Sequence, residues 1–212
     1  MISISDVRSR DIRFHYDLTT AFYRLLWGRH IHHGLWEPAQ EPAIGTSPHA
    51  AQIHLIDTLA TKASIGQGQR VLDVGCGMGG SSIHLARERG CDVTGITLSP
   101  VQRLWAATSA TLSGVGSRTR FRRADAEQIE FPANEFDVVW SVECTEHLFD
   151  KPTFFRKAAT WLRPSGRMAI CAWLAGEKAN TPDGAEQVRR VCEGFLCPSL
   201  GSADDYVAWM TA

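Results

Sequence analysis

Val71-Leu72-Asp73-Val74-Gly75-Cys76-Gly77-Met78-Gly79-Gly80 is the stretch on which the reading of this chain turns. Arg70 to Val74, with Val71, Leu72 and Val74, reads as a short apolar strand. The glycines that follow predict a tight turn in which backbone can approach a ligand closely. Ser81 to Arg89 then reads as a helix stopped by Gly90, a C-cap signal.

Outward from that unit the alternation is regular. Cys91 to Ile96 predicts a second strand. A helix runs from Pro100 to about Leu112, with Ser99 as N-cap and the proline at the first helical position. Thr119 to Arg123 is a weak third strand and Phe136 to Val142 a strong, β-branched fourth. Lys151 to Leu162 reads as a helix ended by Pro164-Ser165-Gly166, and Arg167 to Trp173 as a fifth strand. Ala185 to Phe195 and Ala203 to Met210 read as helices. Strands alternating with helices imply an α/β, doubly wound, Rossmann-like sheet, mostly parallel, with helices on both faces. In such sheets ligands lie beyond the carboxyl ends of the strands, where the strand order switches.

Upstream, residues 1–49 read as an N-terminal extension and 50–212 as the main domain. Leu18 to Trp27 predicts a short helix with Phe22, Leu25 and Leu26 on one face, Gly34 to Pro48 a loop, and Ala50 to Ala63 an amphipathic helix.

Composition narrows the class. The 212 residues carry 22 Lys and Arg against 23 Asp and Glu, a net charge of −1, and 44% are hydrophobic. A chain of this kind buries a core, and its near-zero charge argues against nucleic acid as the main partner. The arginines at 118, 120, 122 and 123 alternate as on a strand with one solvated face. The longest apolar stretch, Met168 to Ala175, is too short for a membrane span, and no signal core follows Met1, so a cytoplasmic location is expected. Six cysteines without a CxxC pair read as reduced, mostly buried residues. No metal site is expected, since the cluster of His30, His32 and His33 has no partner motif nearby.

The glycine loop is ambiguous in one respect. Gly75, Gly77 and Gly80 also satisfy the dinucleotide pattern GxGxxG. Two features favour a different ligand. Asp73 at the mouth of the loop would repel a pyrophosphate and suit a ligand bearing an ammonium and a sulfonium, as S-adenosyl-L-methionine does. At the end of the second strand Thr97 stands where a dinucleotide site expects an acid. A bare tight turn and an NAD(P)-dependent oxidoreductase stay open as alternatives.

The sequence resembles the class I S-adenosylmethionine-dependent methyltransferases, in the branch of the tocopherol methyltransferases, with cyclopropane fatty-acid synthases as more distant relatives. The likeness rests on His15-Tyr16-Asp17, Trp27-Gly28 and His32-His33-Gly34, on the glycine loop, on Gly95 to Gln102, and on Glu143-Cys144-Thr145-Glu146-His147. The resemblance implies that Asp73, Gly75 and Gly77, with Gly79, hold the methionine portion of the cofactor. It implies that Thr97, Leu98 and Gln102 contact the ribose, Asp125 and Ala126 the adenine, and that Ser141 sits near the sulfonium. The amino-terminal segment would form a lid that brings His32 to the cofactor. Tyr16, His33, Glu146 and His147 are the catalytic candidates, with Glu143 beside them. His30 reads as a bystander, and Trp27 and Trp36 as pocket walls.

The family sheet has seven strands and this sequence offers five. The expectation is a carboxyl-truncated form lacking the last two strands, with Met168 to Trp173 as an exposed edge that invites a homodimer. The function expected is methyl transfer to a small or amphipathic acceptor: phenol-like or quinol-like, an amine, or a lipid. A second reading is a truncated module that binds the cofactor without turnover.

Overall fold

The computed structural model describes residues 2–3, 7–36 and 47–211, and for Ile2 and Ser3 the backbone alone. Most of the loop expected between Gly34 and Pro48 lies outside the described residues. The elements are β1 (Ile2–Ser3), α1 (Ser9–Leu26), α2 (Pro48–Lys62), β2 (Arg70–Val74), α3 (Gly80–His84), β3 (Asp92–Thr97), α4 (Pro100–Leu112), β4 (Thr119–Arg123), β5 (Phe136–Val142), α5 (Lys151–Trp161), β6 (Leu162–Cys171), α6 (Pro182–Phe195), β7 (Ser199–Leu200) and α7 (Ala203–Thr211).

Five strands form one parallel sheet in the order β4-β3-β2-β5-β6. The chain builds outward from β2 through β3 to β4, then returns to the other side of β2 with β5 and β6. The order therefore reverses between β2 and β5, and the loops after those two strands face each other across the crevice. This doubly wound sheet is the one expected. Its β6 edge pairs with β5 alone among the described residues.

The pleat sends neighbouring residues to opposite layers. Val71 packs with Val93, Val138, Trp140 and the α2 residues Ile56 and Ala60 on one face. Leu72, Val74 and Val139 pack with Phe154, Phe155, Ala158 and Trp161 of α5 on the other. All of these side chains are buried. The six cysteines are free thiols, four buried and two half-buried.

Several expectations need adjusting. α1 starts at Ser9, not Leu18, because Asp11 closes its amino end by accepting from the Arg8 amide at 3.1 Å. The expected face of Phe22, Leu25 and Leu26 is exposed; α1 buries Ile12 and Thr20 instead. After His84 the helix widens into a π turn, Leu85–Arg89, before Gly90 ends it at φ +66°. The fifth strand begins at Leu162, so β6 takes in the Pro164-Ser165-Gly166 segment read as a turn. The two-residue antiparallel pairing of β1 with β7 has no sequence signal. Among the described residues no helix is long and apolar enough to cross a membrane.

Candidate active site

The floor of the site is the loop after β2. Its glycines adopt left-handed backbone at Gly75 (φ +78°), Gly77 (φ +52°) and Gly79 (φ +82°), where a side chain is strained. The amides of Gly75 and Cys76 both donate to the Ile96 carbonyl, at 3.0 and 2.9 Å, tying the loop to the end of β3. A Cβ on Gly75 would strike the Cys144 sulfur. Gly79 serves packing: a Cβ there would lie 2.8 Å from that of Ala106 on α4.

Asp73 is buried, and the Ser82 hydroxyl donates to its Oδ2 at 2.5 Å. Burial pushes its pKa up to about 6, against the opposing effect of that hydrogen bond. His32, Asp73, Gly75 and Gly77 line one small cavity. His32 Nδ1 is 2.7 Å from the His33 carbonyl, so that nitrogen carries the proton. Its Nε2 is left bare, buried and without a partner.

Gly75 also borders a second cavity, lined by Thr97, Leu98, Asp125, Ala126, Cys144 and His147. Thr97 donates to Gln102 Oε1 at 2.9 Å, and the Gln102 amide is capped by the Ser99 hydroxyl at 3.0 Å. Gln102 is thus buried behind Thr97 and does not line the cavity. Asp125 accepts from the Glu127 amide at 2.9 Å, which fixes one of its oxygens in a turn. Ser141 is fully buried and donates to the Val74 carbonyl at 3.0 Å; it faces the sheet, not a cavity.

The third cavity, about 90 Å³, collects the four catalytic candidates. Tyr16, His33, Glu146 and His147 line it together with Glu143, Trp27, Tyr23, Trp173, Phe195, Ile31 and Cys197. His147 is shared with the second cavity and Ile31 with the first. Trp36 lines none of the three.

Proton positions follow from the partners. His147 Nδ1 lies 3.2 Å from the Leu196 carbonyl, which can only accept, so Nδ1 carries the hydrogen. Its Nε2, 3.0 Å from the Tyr16 oxygen, therefore accepts the tyrosine hydrogen. Burial lowers the His147 pKa to about 4 and raises that of Tyr16, so both are neutral near pH 7. Tyr16 then offers the cavity an oxygen that can accept but not donate.

Glu146 is buried, takes the Trp173 amide on Oε1 at 2.5 Å, and leaves Oε2 without a partner. Burial drives its pKa up to about 7, the range suited to proton exchange at neutral pH. Glu143 adopts a left-handed backbone (φ +48°), a strained position for a glutamate. Its carboxylate accepts from the His33 amide at 2.9 Å and lies 3.0 Å from His33 Nδ1.

Several residues here gain a role only from the structure, Asp17 among them although it stands in His15-Tyr16-Asp17. Asp17 on α1 accepts from Ser99 at 2.5 Å, pinning the amino-terminal helix over the β3 loop. Lys151 is wholly buried and donates to the carbonyls of Glu146 and Leu148 and to Ser199 Oγ, at 3.3, 2.7 and 2.8 Å. It thereby clamps the turn that carries Glu146 and His147. Trp173, Leu196 and Cys197 come from segments after β6, whose return to the site depends on tertiary packing.

A parallel sheet of this order, with a glycine loop and an acid at the β2 end, defines the class I S-adenosylmethionine-dependent methyltransferase fold. Comparison with known proteins places the chain further. Residues 4–195 match the family described as mycolic acid cyclopropane synthetase, and the chain belongs to that family. It is 36% identical over 204 residues to the chloroplastic tocopherol O-methyltransferase of Arabidopsis thaliana, covering 91% of this chain and 59% of that protein. It is 35% identical over 194 residues to the 27-O-demethylrifamycin SV methyltransferase of Amycolatopsis mediterranei, covering 91% and 69%. The chain thus spans somewhat over half the length of its tocopherol methyltransferase relatives. Among solved structures, that of the 4+2 cyclase SpnF superposes with a TM-score of 0.82 at 26% identity, over 99% of this chain and 73% of that one.

Proposed function

We propose that this chain binds S-adenosylmethionine and transfers its methyl group to a small or amphipathic acceptor. The observation that carries the proposal is the adjacency of the three cavities, each of which shares a lining residue with the others. Gly75 lines both of the small cavities at the ends of β2 and β3, and His147 and Ile31 each line one of these and the cavity holding the candidate catalytic side chains. The donor set suits the cofactor. Asp73 is an acid for the ammonium, His32 Nε2 is an unpartnered acceptor, and the left-handed glycines clear the space a Cβ would fill. Asp73, Gly75, Gly77 and His32 would hold the methionine portion, Thr97 and Leu98 the ribose, and Asp125 and Ala126 the adenine. Gln102 would act through Thr97. Ser141 would act by holding the end of β2 in place.

The cofactor supplies an electrophilic methyl group on a positively charged sulfur. The protein's part is alignment, exclusion of water and handling of one proton. Trp27, Tyr23, Trp173 and Phe195 supply an apolar, π-rich wall. Tyr16 and the two glutamates present acceptor oxygens, which favour positive charge arising on the acceptor. Glu146 takes the acceptor's proton where there is one, because its pKa sits near 7. His147, at about 4, is a poor base and positions Tyr16 instead. The pair of His33 and Glu143 closes the cavity beside Trp27.

Relatives with tocopherol, rifamycin and norajmaline methyltransferase names support a small-molecule acceptor. The likeness to a cyclase supports a second reading, cofactor binding without methyl transfer, because one fold hosts several chemistries. A homodimer through the β6 edge and a cytoplasmic location belong to the proposal, as does the division into a lid at 1–49 and a main domain at 50–212. The Arabidopsis thaliana relative, by contrast, is described as chloroplastic. Calorimetry with S-adenosylmethionine and its demethylated product, followed by an acceptor screen with labelled methyl donor, tests the reading. Binding of both and label transfer to an apolar phenol or amine is expected. Binding without transfer to any acceptor favours the second reading. Association with a nicotinamide dinucleotide and neither sulfur compound overturns both.

A further inference from the structure

A concavity larger than those of the candidate active site lies beside it. It is a groove of roughly 650 Å³ between the carboxyl end of α1, α2, α3 and α4, within the range of about 300–1,000 Å³ typical of small-molecule sites. Its walls are apolar: Ile53, Met78, Ile83 and Trp105, with Leu104 and Leu112 exposed at the rim. Its charge is of one sign. Arg24, Arg29 and Arg87 line it together with His30, His49 and His84, and among the described residues no acid does. Arg24 and Arg29 have no carboxylate partner among the described residues, while Arg87 meets only the adjacent Glu88. Elsewhere the arginines at 70, 118, 163, 189 and 190 are paired with acids, while those at 103, 120, 122 and 123 have no carboxylate partner among the described residues, so what marks the groove is the convergence of three arginines on apolar walls.

Unpaired guanidinium groups beside an apolar trough require a particular complement. A free inorganic anion would leave the walls unused, and a neutral lipid would leave the arginines unused. We propose that this groove is a binding site for an amphipathic anion, an apolar chain ending in an anionic head group. The arginines take the head by charge-assisted hydrogen bonds, and Ile83, Leu104 and Trp105 take the chain. The groove adjoins the first of the three cavities described above, with which it shares the lining residues Arg29, His30, Met78 and Gly80. The inference stands whether or not the chain transfers methyl groups.

The test uses the full chain and dodecyl phosphate, below its micelle concentration, in isothermal titration calorimetry. One saturable site per chain is expected, with inorganic phosphate and dodecyl maltoside each binding at least about tenfold more weakly. Thr108→Trp, which fills the groove from α4, abolishes that site. The double variant Arg24→Gln/Arg87→Gln weakens it about tenfold, the effect of losing charge-assisted contacts. Circular dichroism confirms folding, and the arginine pair, Arg24 half-buried and Arg87 exposed, keeps the test open if the tryptophan variant misfolds. No saturable binding, binding indifferent to the groove variants, or equal binding of dodecyl maltoside overturns the proposal. So does a dimer in sedimentation that Thr108→Trp dissolves, since the occupant is then a second copy of the chain.

Discussion

The two sides of the crevice are built differently. The floor over β2 and β3 is made of backbone: left-handed glycines, amides bonded to Ile96, and one buried acid with its serine nine residues on. The side that faces the acceptor cavity is made of side chains brought from far apart. Tyr16 meets His147 across 131 residues, and His33 meets Glu143 across 110. A surface of the first kind fails when the backbone is disturbed. One of the second kind loses single contacts and keeps its frame. Substitutions should therefore separate the two sides.

Gly75→Val should have the largest effect. The new side chain forces a left-handed β-branched residue against Cys144, a strain of about 1–3 kcal/mol before any clash is counted. Affinity for the demethylated cofactor, read by calorimetry, should fall at least about a hundredfold, since the small cavities that Gly75 lines are also filled. If affinity survives within a few-fold, the floor is more pliable than its geometry implies.

Glu146→Gln sharpens the comparison through pH. The Glu146 pKa is raised from 4.5 to about 7, so the folded state prefers the protonated acid. Wild-type stability is then intact below about pH 4.5 and is lost progressively as pH rises through about 7. Glutamine keeps the acceptor for the Trp173 amide and never ionises. The variant should gain stability over wild type between pH 5 and pH 8 by on the order of 2–3 kcal/mol, measured by urea unfolding. It should also lose turnover on acceptors that release a proton. His147 acts with the opposite sign: its pKa falls from 6.5 to about 4, so its protonation weakens the fold as pH drops through that window. An unchanged pH profile in the glutamine variant would assign the titration elsewhere.

Tyr16→Phe removes one oxygen from the acceptor side and nothing from the floor. Turnover should drop about tenfold to a hundredfold while cofactor affinity stays within about threefold. Equal losses in both would show that the two sides are one structure. Asp17→Asn should have the smallest effect. It weakens the contact of α1 with Ser99, at a cost of about 1 kcal/mol in thermal unfolding.

The sequence of this protein by itself determined the sheet and the floor. Strand, glycine loop and helix between Arg70 and Arg89 are local: hydrophobic runs, positive φ and caps are set by residues a few positions apart. The same locality made Ser99 readable as a cap and placed β4 and β5 within their observed bounds. On the other side the resemblance named Tyr16, His33, Glu143, Glu146 and His147, but tertiary structure alone decided how they are paired and protonated. Whether Glu146 is an acid of ordinary strength or one poised near pH 7 depends on burial and on the Trp173 amide. Whether His147 is a base or a prop depends on the Leu196 carbonyl, 49 residues away in sequence. Ser141, legible as the end of a strand, turned out to bond its neighbour strand. Asp125 turned out to be half committed to a turn. Chain pattern fixes which backbone forms a strand or helix because those forces act between near neighbours. Protonation and partnership are set by whatever the fold packs against a group, and that is a property of the whole.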